Sequence, residues 1–173
     1  MRKLALLISV LFFVFSFANG AHAAVNENET EDSKTTSGLP VPRFASLRSN
    51  DVNMRTGPGT RYPIEWVFDH QGLPVEIIAE YEIWRRVRDP EGAEGWVHKS
   101  ALSGKRTALI TGAMRELRRD SDEKSPALAQ LEIGVTGQLI SCNRDWCKLK
   151  FDGIKGYLHK NDFWGAYPKE VFD

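Results

Sequence analysis

Four histidines and two cysteines are the side chains here that could serve as nucleophile, general base or metal ligand: His22, His70, His98, His159, Cys142 and Cys147. A Cys–His nucleophile needs its thiol beside an imidazole that a third group orients. His159 is available in sequence, but two cysteines this close in an exported chain pair with each other in preference to staying reduced. The stretch Cys142-Asn143-Arg144-Asp145-Trp146-Cys147 fits a hairpin with a four-residue loop. The two cysteines then face each other across the strands, within disulfide reach. A loop this short contributes roughly 2 kcal/mol by the chain-entropy model. The rival reading, a redox or metal-binding pair, lacks the tighter spacing and the partners such sites need. No G-x-S-x-G, H-E-x-x-H or S-x-x-K occurs, and His98 and His159 read as packing residues at strand ends. The chain is therefore expected not to be an enzyme and to need no metal or cofactor.

Binding chemistry is better supplied. Trp84 and Trp146 sit in matching sequence surroundings, each three residues before an apolar position, Val87 or Leu149. If Val87 and Leu149 point into a core, alternation along a strand puts both tryptophans on the opposite face. There they either cover the mouth of the fold or floor a shallow groove, because a Trp presents apolar area at little entropic cost. Tyr81 lies just before Trp84, and Arg55 beside a Gly57-Pro58-Gly59 turn. Arg55 is expected to hold that turn through backbone carbonyls; recognition of a planar anion is its alternative role. The clusters Arg85-Arg86-Arg88 and Arg115-Arg118-Arg119 are interleaved with acids and read as solvated faces. With 23 basic and 23 acidic residues in a chain of 173, there is no basic excess of the kind that phosphate neutralisation would require, which argues against a nucleic-acid partner.

These residues sit in a chain with clear internal organisation. Arg2 and Lys3 precede an apolar run over residues 4–17, and Ala21-His22-Ala23 is a small-x-small site. This reads as a signal peptide over 1–23, cleaved before Ala24. The run is short of the roughly 20 residues a membrane span needs, and no second apolar stretch follows, so no transmembrane span is expected after cleavage. The expected address is periplasmic or secreted. Residues 24–42 begin polar and acidic, with Glu27, Glu29, Glu31 and Asp32 against Lys34. Such a segment buries too little apolar area to offset its ordering entropy and reads as a disordered linker. The rest compares with itself at an offset of about 62 residues, too long for a solenoid unit and suited to a small domain. Trp84 faces Trp146, Gly72 faces Gly134, and Gly95-Trp96-Val97-His98-Lys99 faces Gly156-Tyr157-Leu158-His159-Lys160. The same map sets Glu80 and Arg85 at the two cysteine positions, as a cross-strand ion pair worth about 0.2–1 kcal/mol. Short β-rich runs broken by turn residues, with no helical period, predict an all-β fold. The expected domains are 43–104 and 105–173, joined by a short link that leaves little room for free motion. Trp164 and Tyr167 are expected to pack the tail back onto the second repeat.

The run VNMRTGPGTRYP, then GLPVEII, WRRV and EGWVHKSALSG resembles the bacterial SH3-like domain family. Its pattern is N-x-R-x-G-P-G-x-x-Y-P, a G-x-x-V/L strand, W-x-x-V and a closing G-W-V. Residues 52–104 match throughout. The second repeat matches in WCKLKFDGIKGYLHKN and departs where Arg119-Asp120-Ser121-Asp122 replaces the Gly-Pro-Gly turn. The resemblance implies two tandem SH3-like β-barrels and, loosely, association with the cell wall. The Pro and the second aromatic of peptide-binding eukaryotic SH3 grooves are His98 and Ala101 here, and His159 and Asp162 in the second repeat. That recognition mode is therefore not expected. The resulting expectation is an exported, non-catalytic binding module whose partner is a cell-wall peptide or an envelope protein. A periplasmic scaffold that does not touch the wall is the alternative. The ligand surface is expected at Arg55, Tyr81 and Trp84, with Trp146 in the second repeat.

Overall fold

The computed structural model describes residues 35–173. The expected signal peptide over 1–23, and the linker as far as residue 34, lie outside them. The described chain folds into two seven-stranded antiparallel sheets within one compact unit. The first comprises β1 (Arg43–Leu47), β2 (Val52–Arg55), β3 (Ile64–Phe68), β4 (Pro74–Tyr81), β5 (Trp84–Arg88), β6 (Glu94–His98) and β7 (Leu102–Ser103), in the order β3-β2-β6-β5-β4-β1-β7. The second repeats that order with β8 (Thr107–Ile110), β9 (Arg115–Arg118), β10 (Ala127–Leu131), β11 (Thr136–Cys142), β12 (Trp146–Phe151), β13 (Ile154–His159) and β14 (Phe163–Trp164). A single 3-10 turn precedes the last strand of each sheet, at Lys99–Ala101 and Lys160–Asp162. The fold is all-β and duplicated, as the repeat and its turn residues predict.

Each sheet wraps its own core. Val75, Val87 and Val97 are fully enclosed in the first, with Leu47 and Met54. Ile110, Leu117, Leu149 and Leu158 play that part in the second. The shared glycine that opens the sequence G-W-V or G-Y-L has a steric cause. A Cβ on Gly156 would lie 2.6 Å from the Arg118 carbonyl oxygen, and one on Gly95 would lie 3.0 Å from that of Arg55 and run into Met54. The close approach of β6 to β2, and of β13 to β9, therefore depends on a residue without a side chain.

Two sequence expectations are corrected at the ends of the described chain. The linker expected to stay disordered to residue 42 is ordered from Thr35. Thr36 Oγ1, Ser37 N–H and Ser37 Oγ donate to the Glu80 carboxylate at 3.1, 2.8 and 2.7 Å. A buried carboxylate supplies the acceptors that composition alone does not show. The tail does not simply fold onto the second repeat. Phe172 does so, bridging Cys142. Trp164 pairs with Leu109 in the second sheet, as expected, but its ring and that of Tyr167 also pack on Phe44 of the first, with centroids 5.1 and 4.8 Å away. Tyr167 Oη donates to Glu76 at 2.9 Å, and Arg106 makes two bonds to Glu170, at 2.5 and 2.9 Å. Burial and the Glu76 contact raise the Tyr167 hydroxyl well above its ordinary pKa. Burial disfavours the Glu170 carboxylate, but the bonds from Arg106 and Tyr167 N–H outweigh it and bring its pKa below the usual value. The tail thus ties the second sheet to the first.

Candidate functional site

The hairpin between the fourth and fifth strands of each sheet carries the residues singled out in sequence. In the second sheet Cys142 and Cys147 face each other in register and form a disulfide. At the same register of the first sheet Glu80 faces Arg85, with Arg85 Nε 3.1 Å from Glu80 Oε1. Arg43 adds a second contact to that oxygen at 2.5 Å. Arg85 is buried, which corrects its reading as part of a solvated face. Its slot points inward, as that of Cys147 does, and the guanidinium is satisfied there by Glu80 and by the carbonyls of Glu82 and Trp84. Arg86 and Arg88 do meet acids, through Glu94 and Glu76.

Trp84 and Trp146 open the next strand on the face opposite Val87 and Leu149, as alternation predicts. Each pairs across the sheet with a histidine, Trp84 with His98 and Trp146 with His159. The rings meet edge to face at 5.5 and 5.6 Å. The same histidines cap the 3-10 turns: His98 Nδ1 accepts from Ser100 N–H, and His159 Nδ1 from Asn161 N–H, both at 3.3 Å. An accepting Nδ1 leaves the proton of the neutral ring on Nε2. A Trp–His corner therefore recurs at one end of each sheet. The recurrence of both residue types at one offset was the sequence signal for it. Trp84 is only 7% exposed, whereas Tyr81, its cross-strand partner, is 51% exposed. Trp146 is half-buried.

Arg55 does what the first expectation assigned to it. Its Nη1 donates to the carbonyls of Thr60 and Tyr62 at 3.2 and 2.7 Å, closing the loop that holds Gly57-Pro58-Gly59. Gly57 lies against the Tyr62 ring, which explains the spacing of glycine and tyrosine in G-P-G-x-x-Y. The second loop lacks those residues and closes in the same way: Arg118 Nη1 donates to the Ser125 carbonyl at 2.8 Å. Thr56 N–H to Pro63 O, at 3.1 Å, is matched by Arg119 N–H to Pro126 O at 3.0 Å. Arg118 also binds Glu116 at 2.9 Å. Both arginines are thus engaged with their own chain. In the second sheet the corner opens as a groove of about 510 Å³ lined by Trp146, His159, Arg118, Glu116, Glu123 and Asp162.

The duplicated loop, hairpin and closing strand decide the affiliation. A model of the bacterial SH3 domain matches residues 48–104 and again 112–165. The chain belongs to the bacterial SH3 domain family. These are binding domains, and this chain carries two of them. No curated protein matches it in sequence. Among solved structures it is similar to NlpC2 from Trichomonas vaginalis (13% identity, TM-score 0.33, 74% of this chain and 49% of that one). It is also similar to NlpC1 from the same organism (14%, TM-score 0.33, 76% and 49%). An NlpC/P60 family protein from Bacillus cereus ATCC 10987 matches at 17%, TM-score 0.29, over 71% of this chain and 57% of that one. The chain spans about half the length of these proteins, and likenesses this distant carry no argument about function. Among the described residues no group of His, Cys, Asp and Glu could hold a metal ion, and no helix is long and apolar enough to cross a membrane.

The exposed Trp66 escaped the sequence reading. It is 58% exposed on β3, an edge strand of the first SH3 domain, beside Ile64 and Val67, which are about half exposed. An Ile-Glu-Trp-Val-Phe run reads the same whether its strand is central or at an edge, so no local signal marks it.

Proposed function

We propose that the protein is an exported, non-catalytic binding module of the cell envelope that recognises a cell-wall peptide, such as a peptidoglycan stem, or a protein associated with the wall. The observation that carries this reading is the repeated Trp–His corner beside an arginine-held loop in both SH3 domains. One fold presents the same aromatic edge twice, open in the second domain as a groove. Trp146 and Tyr81 are the accessible members of the contact surface. Trp84 forms its floor, and Arg55 shapes the loop beside it. Aromatic side chains in such places dominate binding energetics. Export is supported by the signal-like N-terminus and by the Cys142–Cys147 disulfide, since such bonds persist in oxidising compartments.

Co-sedimentation of the mature protein with purified cell wall tests the role. Trp146→Ala and Tyr81→Ala remove exposed aromatic area without opening a core. Each is expected to weaken sedimentation by about fivefold or more while far-UV dichroism is unchanged. No sedimentation of the wild type, together with capture of an envelope protein, would favour the scaffold alternative. The exported form should have the mass of a chain beginning at Ala24, and a mass retaining residues 1–23 would refute cleavage there.

A further inference from the structure

We infer that the first SH3 domain carries a second binding site, distinct from the Trp–His corners, for a primary ammonium on an aliphatic stem: the lysine-like side chain of a short peptide. The site is a groove of about 650 Å³ at the end of the domain where β3 and the β5–β6 turn meet. Its apolar wall is Trp66, Leu73 and Ala93, and three acids reach it: Asp69, Asp89 and Glu91. No lysine or arginine is among the described residues that line it. An indole face, apolar walls for methylene groups and uncompensated carboxylates are together complementary to an alkylammonium, through cation–π and charge-assisted contacts.

Asp89 is the decisive residue. It is 6% exposed. Its Oδ1 accepts from Ala93 N–H at 2.8 Å, which fixes the turn, and its other oxygen has no hydrogen-bond partner among the described residues. That oxygen is not one of the buried atoms left without a partner: it stays open to the groove, where a cation would meet it. The second SH3 domain is an internal control. Its equivalent groove, of about 380 Å³, has Ala129 where the first has Trp66 and a buried Phe151 where the first has Asp89. Where the turn is short the slot holds an apolar residue; in the first domain the carboxylate both holds the longer turn and lines the groove. The hairpin turn differs too: residues 89–93 form a longer turn than Asp152-Gly153, and so bring Glu91 to the rim.

The site does not depend on the envelope role, because the ligand chemistry is the same whichever peptide carries the amine. The test is titration of the mature protein with Nα-acetyl-lysine amide, followed by backbone amide shifts and Trp fluorescence. Shifts should centre on Trp66, Asp89 and Ala93, fade with added salt and vanish with the Nε-acetylated probe. Asp89→Asn keeps the acceptor for Ala93 N–H and should weaken binding about tenfold. Trp66→Ala should weaken it about fivefold, and Trp146→Ala should leave it unchanged. Absence of shifts at these residues at millimolar amine, or equal binding by Asp89→Asn, would overturn the inference. Sedimentation with cell wall before and after acetylation of its amines identifies the source. Loss on acetylation assigns the wall peptide. Unchanged sedimentation alongside binding of the lysine amide assigns a lysine-bearing protein segment. Sedimentation that Asp89→Asn spares and Trp146→Ala abolishes, with no amine binding, would sink this site and leave the envelope role standing.

Discussion

Replacing Glu80 by Gln should destabilise the first SH3 domain in a way that disappears in acid. The Glu80 side chain is fully covered and takes bonds from Thr36, Ser37, Arg43 and Arg85. Burial alone would raise its pKa. The donors from Ser37, Arg43 and Thr36 outweigh burial and bring it from 4.5 down to about 2. A folded-state pKa below the unfolded value contributes stability that is fully present above about pH 4.5 and is lost as the pH falls towards 2. At ~1.4 kcal/mol per pKa unit the undiscounted figure is roughly 3.5 kcal/mol; screening by nearby solvent brings the expectation to about 1–2 kcal/mol. The assay is urea unfolding of wild type and Glu80→Gln at about pH 7, 5, 3.5 and 2.5. Other carboxylates titrate in both proteins and cancel in the difference. The stability gap should be constant from pH 7 to about 5 and shrink by ~1–2 kcal/mol as the pH falls towards 2. Once Glu80 is protonated, Arg43 and Arg85 lack an anionic partner in the wild type as well, so that cost is common to both proteins and the gap closes. A gap that does not change with pH would show that the carboxylate charge is not what holds residues 35–37 and the hairpin.

Reduction of Cys142–Cys147, or its replacement by two serines, should lower stability by roughly 2 kcal/mol, with faster hydrogen exchange at the β11–β12 hairpin and unchanged exchange in the first SH3 domain. His98→Ala and His159→Ala should each cost about 1 kcal/mol and change the near-UV signal of the facing Trp, because each ring both caps a 3-10 turn and packs on an indole; unchanged spectra would refute the pairing. Tyr167→Phe removes only the bond to Glu76. It should cost about 1 kcal/mol and loosen the contact between the two SH3 domains, seen as faster exchange around Phe44.

The duplication, the β class, the hairpin pairings Cys142–Cys147 and Glu80–Arg85, and the loop-holding role of Arg55 were all legible in the chain. Each follows from local spacing. Strand alternation puts residues on faces, a short hairpin makes i and i+5 opposite, and a Gly-rich turn needs its carbonyls held. Even the degenerate second loop keeps its closing arginine, Arg118, in register. What the tertiary structure decided is where surfaces meet. Whether Trp84 is covered and Trp66 bare depends on which strand lies at a sheet edge, and strand order is a long-range property that no window of sequence contains. The tail could as well have wrapped its own domain as reached across to Phe44, since aromatic residues find apolar area by contact and not by sequence distance. Thr36 and Ser37 look like linker until a buried carboxylate from β4, more than forty residues later, supplies the acceptors that order them. Burial, edge position and satisfaction of polar groups are set by the whole fold, because each depends on which distant atoms exclude water from the same place.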